Sequence, residues 1–332
     1  RKVFPVNGGF GMKIDKVIFS TSEQYSPFWN IQSKIYKEAL GIEPVCLLFG
    51  KKENTNMTEE YGSIIEMEFI EDLPKVIQIT WSKFDFPKTE PDTTWMIGDM
   101  DMLPLQRYYF TDSIKDAPED SYLHLNLGGI SIPRRRKLDA FLTEGPQNMQ
   151  ENPGDGGQGA DLPAHYHISK GENFRKIFEL DRPFREQIEH IINSGRYGMG
   201  FSEQSIKPDW FNSEDWEKGI NTIMNFRSYY WCAEESYSSE RIYNAIKNGD
   251  IKFFGVCYHN AENRVDRGTW SDDTMDYQYS VDELMLGKRY VDIHCERPYE
   301  KQEEAMNRII ELSGIFENEQ KESFSFPVIS AG

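Results

Sequence analysis

The 332 residues carry 55 acidic against 37 basic side chains, a formal charge of −18. That balance argues against nucleic acid or an anionic membrane as partner, because phosphate surfaces reward a basic face. Apolar residues make up 38% of the chain, enough for a packed core, and the length suits one large α/β domain with elaborations. No stretch approaches the roughly 18 apolar residues of a membrane span, and no secretory signal is visible. The chain begins at Arg1 rather than Met, which leaves open an upstream anchor or a further domain.

Residues 1–14 read as a leader or edge segment. Lys16–Ser22 is a first strand ending in three hydroxyls, Ser20, Thr21 and Ser22. Ser26-Pro27 is a helix start, and Phe28, Ile31, Ile35, Ala39 and Leu40 follow at helical spacing until Gly41. Glu43–Phe49 and Ser63–Phe69 are strands, Leu73–Phe84 is a helix, and Thr94–Ile97 is a short apolar strand. This order implies an α/β layout with a mostly parallel sheet flanked by helices.

The stretch Gly98-Asp99-Met100-Asp101-Met102-Leu103-Pro104 carries two carboxylates one residue apart. On an extended segment, positions i and i+2 point the same way, so Asp99 and Asp101 aim at one point beyond the strand. Two hard oxygen ligands with positions to spare suit Mg²⁺ or Mn²⁺ carrying a phosphate. The carboxyl end of a strand in an open α/β sheet is where such folds bind ligands. The competing reading is an ordinary turn in an acidic chain.

Tyr122–Leu127 is the next strand, and Arg134–Phe141 is a short helix or loop that opens on the basic run Arg134–Lys137. Residues 146–159 are rich in Gly and Pro and read as a loop. Ala164–Ser169 is a strand with His165 and His167 on one face, and Lys170 leads into a helix. A helix from Arg182 to Asn193 precedes Glu203 and Gln204. Ser228–Ala233 is expected as a strand running into Glu234-Glu235, and Ser239 as the cap of a following helix. Ile251–Tyr258 is a buried strand. Arg289–His294 is another, followed by Arg297-Pro298 and a helix ending near Leu312. The four cysteines, Cys46, Cys232, Cys257 and Cys295, form no Cys-x-x-Cys pair. Reduced thiols and a cytoplasmic setting are expected, with membrane association left to a segment outside this sequence.

The Asp99–Asp101 motif resembles the Asp-x-Asp motif of nucleotide-sugar-dependent glycosyltransferases of the A-type fold, and the order of elements over residues 16–300 is similar to that of the glycogenin-like transferases. The resemblance implies an A-type α/β fold with a Rossmann-like sheet and an acceptor-side extension. Residues 15–105 would form the nucleotide-sugar-binding half, 106–312 the acceptor-binding and catalytic half, and 313–332 a C-terminal arm. It also implies transfer of a hexose or pentose from a UDP- or GDP-sugar to a hydroxyl of a glycan or glycoprotein acceptor. Ser20, Thr21 and Ser22 would meet base and ribose, and Asp99, Met100, Asp101 and Arg297 the donor. Asp99, Asp101 and His294 would hold Mn²⁺ or Mg²⁺. His165, His167 and Lys170 would face the acceptor. Glu203-Gln204 is similar to an Asp-Gln pair beside the reacting sugar carbon, and Glu234-Glu235 is the rival pair for a catalytic base. Two other readings stay open. A nucleotidyltransferase would want a Gly-rich basic loop where this chain has Ser-Thr-Ser-Glu-Gln. A catalytically inactive glycan-binding scaffold would bind no nucleotide.

Overall fold

β1 (Lys16–Ser22) sets the architecture through its alternation. Val17 and Phe19 enter one apolar layer, and Ile18 enters the other. All three are fully buried, as expected for a strand covered on both faces. β2 (Glu43–Phe49) repeats the pattern, with Cys46 and Leu48 on one side and Val45 and Leu47 on the other. β4 (Thr94–Ile97) does the same, with Met96 opposite Trp95 and Ile97.

The computed structural model describes residues 11–125, 141–142, 162–194, 233–256, 264–265, 281–286, 290–295, 298–317 and 328–331. Its eight-stranded sheet also contains β3 (Ser63–Met67), β6 (Tyr122–Leu125), β7 (His167–Lys170), β8 (Phe253–Val256) and β11 (Val328–Ala331), in the order β11-β8-β6-β7-β4-β1-β2-β3. Four pairings are parallel, with β7 antiparallel to both neighbours and β11 antiparallel to β8. A three-stranded sheet of β5 (Met102–Pro104), β9 (Arg264–Val265) and β10 (Asp292–His294) stands beside it, in the order β5-β10-β9. The expected α/β class is what the chain adopts.

One layer holds a continuous helical run after β1. It opens as a 3-10 turn at Glu23–Phe28, becomes α1 (Trp29–Lys34), and ends as a π-helical turn at Ile35–Leu40. Gly41, at φ 69°, closes the run in the left-handed region that glycine occupies without penalty. The run thus begins three residues before Ser26, whose hydroxyl donates to the Glu23 carbonyl instead of capping a new helix. The opposite layer holds α2 (Lys75–Asp85). Its Ile77, Trp81 and Phe84 are buried at helical spacing, each contributing about 1.5–3 kcal/mol by leaving water. α4 (Gly171–Phe178), α5 (Phe184–Asn193) and α6 (Ala233–Asn248) pack on the same side, after a short α3 (Arg107–Phe110). α7 (Val281–Met285) and α8 (Tyr299–Ser313) belong to the first layer.

One expectation is corrected: Glu234 and Glu235 are helical, and Ser239 lies inside α6, where its hydroxyl accepts the Leu162 N–H at 2.7 Å. Met12 and Ile14, in the expected leader or edge segment, are buried core residues, and residues 328–331, in the expected arm, form the edge strand β11.

Candidate functional site

The chain runs outward from β1 through β2 to β3, then returns to place β4 on the other side of β1. The crevice between the carboxyl ends of β1 and β4 is therefore the point where the strand order reverses, the usual ligand position in an open α/β sheet. Ile18 of β1 pairs with Ile97 of β4, and the Gly98 N–H continues the ladder to the Ile18 carbonyl at 2.9 Å. A Cβ at position 98 would meet the Phe19 ring at 2.4 Å, so the approach requires glycine. Asp99 follows immediately, and Ser20–Ser22 end the neighbouring strand.

Beyond Gly98 the backbone turns. The Met102 N–H donates to the Asp99 carbonyl at 3.1 Å. Gln32, fully buried on α1, clamps this turn by donating Nε2 to the Asp99 carbonyl at 3.0 Å and to the Met102 carbonyl at 2.7 Å. The expectation of two carboxylates side by side on an extended segment is therefore corrected. The turn sends Asp99 and Asp101 to different partners.

Asp99 keeps the alternation of Trp95 and Ile97 and faces α2. Lys83 of α2, with its side chain 5% exposed, donates its ammonium to Asp99 Oδ1. His165 Nδ1 lies 3.0 Å from Asp99 Oδ2. Burial alone would raise the pKa of Asp99, but the ammonium and the imidazole outweigh it and hold the carboxyl well below the usual range. Lys83 shows the mirror effect. Desolvation disfavours its charge, and the Asp99 and Glu234 carboxylates more than restore it, so its pKa is raised. Glu234 on α6 is 4% exposed, and among the described residues its Oε2 has no hydrogen-bond partner. Burial pushes its pKa up to about 7, against the pull of Lys83. Its neighbour Glu235 accepts the Ala164 N–H at 2.9 Å.

Asp101 immediately precedes β5 of the small sheet. β10 pairs antiparallel with β5, bringing His294 opposite Met102, and the Cys295 N–H donates to the Asp101 carbonyl at 2.7 Å. His294 Nε2 then lies 3.7 Å from Asp101 Oδ2, both side chains partly exposed. Two ligands bonded to one ion at about 2.1 Å each lie no more than about 4.2 Å apart, so this pair fits a shared divalent cation. Among the described residues, no group of three or more His, Cys, Asp or Glu is gathered closely enough to hold a metal. Asp99 retains spare lone pairs on both oxygens.

The remaining predicted residues divide. Ser20 and Ser22 are half-buried at the mouth, while Thr21 is buried and donates to the Ser22 carbonyl at 3.0 Å. Met100 is 4% exposed and packs in the core rather than facing a donor. His165 lies two residues before β7 and His167 opens it, and only His165 reaches Asp99. His167 lies deeper, fully buried, with Nδ1 3.0 Å from the Tyr122 hydroxyl and Nε2 2.7 Å from the Pro163 carbonyl. Both ring nitrogens are engaged, which leaves none for an acceptor. Lys170 pairs with Thr94, at the far end of β4 about 13 Å of strand from Gly98, and bonds Glu119 at 2.9 Å. That end of the sheet is remote from the crevice. Glu203, Gln204, Arg297 and Arg134 lie outside the described residues. Sequence reasoning passed over Gln32, Lys83, Arg264 and Asp292. A lysine among the apolar positions of α2 was the signal for Lys83.

No family model and no curated protein sequence matches the chain. Among solved structures, it is similar to the galactosyltransferase LgtC in complex with donor and acceptor sugar analogs, at 12% identity and a TM-score of 0.41, covering 92% of this chain and 98% of that one. It is similar to the bifunctional glycosyltransferase WbbM at 13% identity and a TM-score of 0.38, covering 95% of this chain and 53% of that one. It is similar to mouse xyloside xylosyltransferase 1 at 10% identity and a TM-score of 0.33, covering 86% and 98%. At these scores the likeness by itself fixes no activity.

Proposed function

We propose that the chain is a metal-dependent glycosyltransferase that binds a nucleoside diphosphate sugar in the β1–β4 crevice and passes the sugar to a hydroxyl of a glycan or glycoprotein. The carrying observation is the pair of carboxylates on the turn after β4, at the reversal of strand order, with His294 brought to Asp101 from nearly 200 residues away. In this reading Asp101 and His294 hold Mn²⁺ or Mg²⁺, and Asp99 stands beside them with lone pairs for a further contact. A bound divalent ion supplies Lewis-acid neutralisation of charge on the leaving diphosphate.

The chain's own residues perform the rest. Ser20 and Ser22 line the nucleotide side. Lys83 keeps Asp99 ionised and fixed. Glu234 is a second buried carboxyl within the field of Lys83, and it joins Glu203-Gln204 as a candidate for the reacting centre. A group near neutrality in a desolvated cleft is suited to taking a hydroxyl proton. The charge of −18 favours a metal-neutralised donor over a bare polyanion.

The test is release of nucleoside diphosphate from UDP- and GDP-sugars, with Mn²⁺ and with EDTA, in wild type and Asp101→Asn. The reading expects metal-dependent release that Asp101→Asn abolishes. Release that ignores both metal and Asp101 would contradict it.

A further inference from the structure

The support for Asp99 extends one residue past its direct partners. Arg264 on β9 donates Nε to Asp292 Oδ1 and Nη2 to Asp292 Oδ2, both at 2.7 Å. Asp292 is wholly buried and also accepts the Tyr166 hydroxyl at 3.2 Å. With the guanidinium fixed by this two-pronged contact, its Nη2 lies 3.3 Å from His165 Nε2. A guanidinium can only donate, so His165 Nε2 must accept and carries no proton. The single N–H of the neutral ring is then on Nδ1, the atom 3.0 Å from Asp99 Oδ2. An ionised carboxylate can only accept, so the two contacts independently demand the same tautomer. The other tautomer would set an N–H against an N–H at Arg264 and a lone pair against an oxygen at Asp99.

We propose that Arg264 is a positioning residue for the crevice: it anchors Nε2 of the Nδ1–H tautomer of His165, and the ring so held keeps Asp99 Oδ2 in place while Lys83 holds Oδ1. The plane of the carboxylate is thereby set from both sides, by one neutral and one charged donor. The β5-β10-β9 sheet carries Arg264 as well as His294, so one small sheet orients both carboxylates of the motif. The catalytic consequence rests on the donor-site reading above; the tautomer does not.

Long-range ¹H–¹⁵N spectra of the full chain, with the His165 signals assigned by their loss in His165→Asn, should show His165 protonated at Nδ1 and bare at Nε2. An asparagine amide places its donor near Nδ1, and a glutamine amide places it near Nε2. Calorimetric binding of UDP with Mn²⁺ should therefore stay within about 3-fold for His165→Asn and fall about 10–100-fold for His165→Gln, the usual range for losing an outer-shell orienter. The paired change Arg264→Met with Asp292→Asn leaves no buried charge unpaired. With Asp99 still accepting from Nδ1–H, it should keep that tautomer but release the ring from its Nε2 anchor, shifting the Nε2 resonance and weakening UDP binding with Mn²⁺, with far-UV circular dichroism unchanged. A wild-type Nε2–H tautomer, or equal losses in His165→Asn and His165→Gln, would overturn the proposal. Absence of UDP and GDP binding in wild type would instead overturn the donor-site reading, and the spectrum would still decide the tautomer.

Discussion

The two carboxylates of the motif sit in unlike surroundings. Asp99 belongs to the large sheet and is gripped from both sides, by a lysine with only 5% of its side chain exposed and by a buried histidine. Asp101 immediately precedes the small sheet's β5, and His294 stands at 3.7 Å from it with its own side chain 21% exposed. Asp99 is held by protein groups on both oxygens, whereas the Asp101–His294 spacing fits the proposed divalent cation. In the proposed reading, the Gly98-to-Met102 turn gives one aspartate an anchoring role and the other a binding role.

The sharpest way to break this contrast is Lys83→Met. Removing the cation strands the Asp99 and Glu234 carboxyls, and a broken buried pair costs about 3–5 kcal/mol, here toward the lower end because Asp99 keeps 27% exposure. Urea unfolding should show that loss, with nucleotide binding lost too. Asp101→Asn or His294→Gln should do the reverse, abolishing Mn²⁺-dependent UDP binding while leaving the urea midpoint nearly unchanged.

Stability against pH gives an intermediate effect. His124 and His167 are fully buried, and desolvation holds both below the ordinary value of 6.5, His124 at about 3. The unfolded chain therefore binds more protons below pH 6.5, and each histidine withdraws up to about 1.4 kcal/mol per pH unit as the pH falls. Glu234 works in the opposite sense. Its pKa is raised from 4.5 to about 7, so its contribution is present below pH 4.5 and lost as the pH rises through 7. Two histidines against one glutamate predict a net fall in stability from pH 6.5 to 5. Glu234→Gln should steepen that fall and gain on wild type toward pH 8, read from urea midpoints across the range. The smallest effect is expected far from the crevice. Arg185→Ala breaks an exposed bidentate contact with Asp72 and should change stability by no more than about 1 kcal/mol, leaving binding intact.

Much of the sheet was legible because β1, β2 and β4 are buried on both faces and read as unbroken apolar runs. The motif was legible because carboxylates after such a run are conspicuous. Its geometry was not, since the i, i+2 rule holds only while the chain stays extended, and the Asp99–Met102 hydrogen bond ends that. Partners from distant segments were also hidden. Lys83 stands among the apolar positions of α2, but its partner Asp99 is not visible from the sequence, and Arg264 and Asp292 acquire meaning only when β9 and β10 pair. Lys170 was misread because direction along β7 decides which end of the sheet a residue reaches, and an antiparallel strand reverses it.

The most direct measurement is calorimetric titration of UDP and GDP, each with Mn²⁺ and with EDTA, into wild type, Asp101→Ala and Arg185→Ala. The account predicts binding of one nucleotide that requires the metal, disappears in Asp101→Ala and survives in Arg185→Ala. Binding that persists in EDTA or in Asp101→Ala, or no binding of either nucleotide, would contradict a metal-held donor site at the end of β4.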